Sequence, residues 1–191
     1  MTDLGRSNAR FFLTRLRDHY VDQLRAFLAE QRRTSARGES EVKIELEPGS
    51  PFFHSVTCAD FVRNDGEPEI VEFTAGRVLG FQPVYTKLGR ADLTIETLRW
   101  DDVIVRHNGS FNAEQVFDGW FDKWLDPNDR RYRTNVDVGN VVHALAVEPQ
   151  KLAVDFGSAA PDAFWELLNL LEGAGATEIA ITGSPVEAEA S

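Results

Sequence analysis

Between residues 41 and 107 apolar residues recur at a period of two and never at a helical period, which narrows the fold more than any other feature of the chain. Val42, Ile44 and Leu46 alternate with charged residues and stop at Pro48-Gly49-Ser50-Pro51. Residues 52–62 read as a second strand, closed by Asn64-Asp65-Gly66. Residues 69–75 and 78–87 read as two more, with Gly80 and Pro83 marking a bulge or an edge in the latter. Residues 93–98 and 103–107 flank Trp100-Asp101-Asp102 as a hairpin. No helix lies among these strands to serve as a parallel crossover, so a mostly antiparallel, curled sheet is expected.

Helical periodicity frames that run. From an N-cap at Ser7 to about Arg33, Leu13, Leu16, Tyr20, Leu24 and Phe27 step by three and four, with Arg10, Arg17 and Arg25 toward the other face. About 26 residues at ~1.5 Å each make a rod of roughly 39 Å, which crosses the domain or packs on another copy. After the strands, Asn112 and Gln115 resemble a capping box for a helix over 113–125, stopped by Asp126-Pro127-Asn128-Asp129. Residues 138–147 and 151–156 form a hairpin over Glu148-Pro149-Gln150. Pro161 opens a last helix that ends in Gly173-Ala174-Gly175, and 178–182 is a closing strand. The expected class is α+β: a long N-terminal helix, a curled and mostly antiparallel sheet, two further helices packed on it, and a C-terminal β-β-α-β unit. One domain over 1–191 is expected, with 108–112 as the alternative boundary and a frayed tail over 184–191.

Charge and cysteine usage exclude whole classes of function. Cys58, the single cysteine, excludes a disulfide framework and a multi-cysteine metal cage. The net charge of −11 divides unevenly: residues 1–37 hold eight arginines against Asp3, Asp18, Asp22 and Glu30, leaving +4 there and −15 on the rest. An acidic body is a poor nucleic-acid surface, because neutralising phosphates takes a surplus of Lys and Arg. No stretch has the length and apolarity of a secretory signal or a membrane span, so a cytoplasmic protein is expected.

Few residues carry candidate chemistry. In residues 116–125, Phe117, Trp120, Phe121, Trp124 and Leu125 share one helical face, which suits either the core or a partner's groove. Asp118, Asp122 and Asp126 make an acidic ridge beside it. His54 and Cys58 share a strand face, but four residues of extended chain separate them by roughly 13 Å, too far for proton transfer. His143 and Asp155 fall near cross-strand register if the turn is centred on Pro149, and such a pair can orient an imidazole as a base. No nucleophile motif, phosphate loop, metal-ligand spacing or complete calcium loop accompanies them. Arg130, Arg131 and Arg133 form the basic cluster outside the first helix.

The expected function is therefore that of a non-catalytic protein-binding or self-associating protein without cofactor or metal, engaging through Arg10, Arg17, Arg25, Trp120 and Trp124. The alternative is a small hydrolase or transferase using His143 and Asp155, with His54 or Asp102, in a cleft of the sheet.

Overall fold

The computed structural model describes residues 3–130 and 137–183. Helix α1 spans Asp3–Thr34, so Ser7 lies inside it rather than at its cap. Two sheets follow. Strands β1 (Glu39–Glu45), β2 (Val56–Arg63) and β3 (Glu69–Val71) form an antiparallel sheet with β2 in the middle. Strands β4 (Val84–Leu88), β5 (Ala91–Ile95), β6 (Val103–His107), β7 (Ala144–Glu148), β8 (Lys151–Asp155) and β9 (Glu178–Gly183) form a second, in the order β4-β5-β9-β6-β8-β7. Helices α2 (Ala113–Trp124) and α3 (Pro161–Gly173) complete the α+β architecture.

Local sequence signals set several element ends. Asn112 caps α2, its side chain accepting from Gln115 N at 3.1 Å, and Pro161 stands in the first turn of α3. The hairpin expected over 93–107 does not form. Strand β9 inserts between β5 and β6, parallel to β5 and antiparallel to β6. Sheet order is a non-local property: β9 brings apolar Ile179 and Ile181 to the core face, which two short strands alone could not cover.

The strand expected over 52–62 is also shorter. Phe53–Ser55 is a single 3-10 turn with His54 at φ 54°, and β2 starts at Val56. One continuous apolar core runs from Leu13, Leu24 and Leu28 of α1 through Leu93, Val105 and Ile181 to Phe164 and Leu168 of α3. Among the described residues no helix is long and apolar enough to cross a membrane.

Candidate functional site

Strand β2 reads VTCADFVR, and Asp60, the charged residue in its interior, is 3 % exposed. Its register with β1 (Ser40 opposite Phe61, Val42 opposite Ala59) sets Glu41 across from Asp60. Glu41 is also buried and adopts a left-handed backbone with φ 55°, while Val42 and Ile44 are only half-buried. The alternation expected of β1 thus breaks at Glu41, where a carboxylate takes the inward position. Two carboxylates facing each other inside a protein repel strongly unless a cation stands between them.

His143 is that cation. Its Nε2 lies 3.0 Å from Glu41 Oε1 and its Nδ1 3.0 Å from Asp60 Oδ1, and its side chain is 2 % exposed. Burial opposes charging the ring, but Cys58, Asp60, Glu41 and Asp155 around it outweigh that and hold its pKa well above 6.5. Glu41 and Asp60 are held below their ordinary values: burial pushes each up, and His143 pulls each down further. Neighbouring donors complete the network. Ser158 Oγ and Gly139 N donate to Glu41, and Phe73 N donates to Asp60 Oδ2 at 2.8 Å. Ser158 Oγ in turn accepts from Val141 N.

The backbone around His143 ties the two sheets together. Its carbonyl accepts from Cys58 N at 2.7 Å and from Thr57 Oγ1 at 3.1 Å, while its N–H donates to Asp155 O at 2.9 Å. The turn is one residue shorter than expected, which shifts the pairing by one: Ala144 pairs with Asp155 and Glu148 with Lys151, leaving Pro149 and Gln150 at the tip. Gln150 accepts the left-handed φ of 59° that this tight turn requires. His143 therefore just precedes β7 and meets the Asp155 backbone rather than lying directly across from it. Burial pushes the Asp155 carboxyl from 3.8 up to about 7, opposed by His143 and reinforced by Asp60. Cys58, also buried, is pushed up to about 11.

Gly157 closes the site from below. A β-carbon there would stand 2.1 Å from His143 Cδ2, and its φ is 47°. Gly157→Ala is expected to lose about 2–4 kcal/mol, from left-handed strain and displacement of the ring. Urea unfolding checks this against Gly76→Ala, where a β-carbon meets nothing within 4 Å. Equal midpoints for the two variants would remove Gly157 from the site.

The remaining candidates lie elsewhere. His54 faces α2, its Nε2 2.8 Å from Asp118 Oδ1, and Asp102 sits in the turn bridged to Arg99. Arg17 is committed within the chain, donating to Ser158 O at 2.7 Å and Ala159 O at 3.1 Å, so it clamps α1 onto the loop behind the site. Arg25 is exposed beside Asp22, and Arg10 lies over the Trp165 ring at 5.8 Å. Trp120 and Trp124 face inward at 4 % and 5 % exposure, donating to Ala163 O and Glu166 Oε2. Arg131 and Arg133 lie outside the described residues, as does the tail after Gly183.

Sequence reasoning missed Glu41, Asp60 and Ser158. Among the described residues no cluster of three or more His, Cys, Asp or Glu is arranged to hold a metal ion. The chain matches no protein-family model, no curated protein and no solved structure.

Proposed function

We propose that this chain is a non-catalytic cytoplasmic binding protein that self-associates or holds a protein partner, with the Glu41–His143–Asp60 network as an internal clasp. The observation that carries this reading is burial: the three side chains are 2–5 % exposed, so a substrate has no approach to the imidazole. Charge supports a protein partner, since exposed Arg10, Arg15 and Arg25 of α1 face outward from a body of net −15. Sedimentation of the full chain at tens of micromolar is expected to give species larger than the monomer. These should dissociate between about 0.1 and 1 M salt, as screening shortens the reach of exposed charges. Arg10→Glu with Arg25→Glu should mimic the high-salt result. A monomer under all conditions overturns self-association.

A second reading, a small hydrolase or transferase, is favoured by the meeting of His143 with Asp155, whose carboxyl titrates near neutrality. It requires solvent to reach His143. Imidazole acylation of the native chain separates the two readings, with half-exposed His54 as the positive control. Modification of His143 at a rate like that of His54 supports the enzyme; modification only after unfolding supports the clasp.

A further inference from the structure

Three buried polar atoms without a hydrogen-bond partner belong to residues that line one cavity: His19 Nε2, Tyr20 Oη and Trp100 Nε1. Tyr20 and Trp100 are 3 % and 2 % exposed, and buried polar groups of native proteins are nearly always partnered. The cavity lies between α1, the Trp100 turn and a strap at residues 75–79. It leaves about 20 Å³ for the centre of a water-sized group, where one such group takes roughly 10–15 Å³. Its shape is held by a double hydrogen bond across the strap, Gln23 Nε2 to Arg77 O at 3.0 Å and Arg77 N to Gln23 Oε1 at 3.1 Å. Leu16, Val78, Leu79 and Leu98 supply apolar walls.

We propose that this cavity is a binding site for one neutral hydroxyl group, brought by solvent or by a methanol-sized alcohol. The indole N–H of Trp100 only donates, so the guest must accept a hydrogen bond. The Tyr20 hydroxyl donates or accepts, and His19 Nε2 does either according to tautomer, so a group with both capacities is chemically matched to each of them. Charge excludes other guests. An anion would meet Asp101 on the wall and the field of Asp155, Asp60 and Glu41, which with burial drives the Tyr20 phenol far up. A cation would meet Arg99 and Arg77 on the walls and the positive end of the indole N–H.

The test is nitrogen-15 NMR of the indole N–H groups in the full chain, with Trp120 as reference because its N–H is bonded to Ala163 O at 2.9 Å. The Trp100 indole proton is expected to show a cross-peak to long-lived water, or to shift saturably with added methanol, while Trp120 stays unmoved. The first outcome assigns the site to solvent and the second to an alcohol. Tyr20→Phe should weaken either signal severalfold by removing one partner, and should lower stability. A Trp100 proton silent to both water and methanol, with Tyr20→Phe more stable than the parent, overturns the proposal.

Discussion

His143→Ala is expected to destabilise the chain by about 3–5 kcal/mol, the usual effect of removing one member of a buried ion pair. The variant leaves Glu41 and Asp60 facing each other, both buried, with no cation between them. Domains are stable by only about 5–15 kcal/mol in all, so much of the native margin goes. For a domain of this size the melting temperature should fall by roughly 6–20 °C, at about 2–4 °C per kcal/mol. Adding Glu41→Gln and Asp60→Asn to the His143→Ala background should recover part of the loss, since the repulsion goes with the charges. A loss below about 1 kcal/mol for the single variant would remove the clasp, because it would mean the trio carries no net charge coupling.

The pH dependence follows from the same contacts. The His143 pKa is raised on folding, so its contribution is complete below the unfolded value of 6.5 and lost as pH rises through the higher folded value. Glu41 and Asp60 are lowered, so theirs is present above the ordinary carboxylate range and lost as pH falls through their folded values. Asp155 acts the other way for an acid. Raised from 3.8 to about 7, it binds its proton more tightly when folded, and stability declines across that window as pH rises. Together these place the maximum near the upper edge of the ordinary carboxylate range, with stability declining from there as pH rises through neutrality. His143→Ala should flatten the decline above pH 6.5 in urea midpoints, whereas His54→Ala should leave it in place.

Reading the sequence for such a clasp runs into a physical limit. Local signals are legible because they act within a few residues: Asn112 caps its own helix, Pro161 presets a first turn, and β6 was expected over its observed span. The position of β9 between β5 and β6 depends on strands distant in sequence, and no local pattern encodes it. Glu41 sits in a strand of alternating charges and looks like any solvent-facing glutamate; only the His143 ring, a hundred residues on, makes it an inward group. Asp60 was different. A lone aspartate within an apolar strand interior is costly unless paired, and that signal was present in TCADFV to be used. His143 is legible as a candidate, but with a partner one register step away, because a two-residue turn and a three-residue turn shift the pairing by one.

Trp120→Ala is the second large effect, expected at about 3–5 kcal/mol for truncating a fully packed indole. Trp120 is 4 % exposed, meets Phe156 edge-on at 6.3 Å, and joins α2 to α3 by donating to Ala163 O. Truncation opens a cavity at that junction and leaves the buried Ala163 carbonyl without this donor. Trp124→Phe should cost less, since an aromatic ring stays in place while the bond to Glu166 goes. Urea unfolding and sedimentation, run on the same samples, distinguish core from interface. A lowered midpoint with unchanged association in the surviving folded fraction is the result expected of a core residue. An unchanged midpoint with lost association would return the aromatic face of α2 to the surface. The helix cannot do both, because the side it shows to solvent carries Asp118, already held by His54, and Asp122. Asp126, the third carboxylate of that ridge, is buried, so Asp122 is the ridge carboxylate left open to a partner of α2, and Asp122→Lys should weaken such binding without moving the unfolding midpoint by more than about 0.5 kcal/mol.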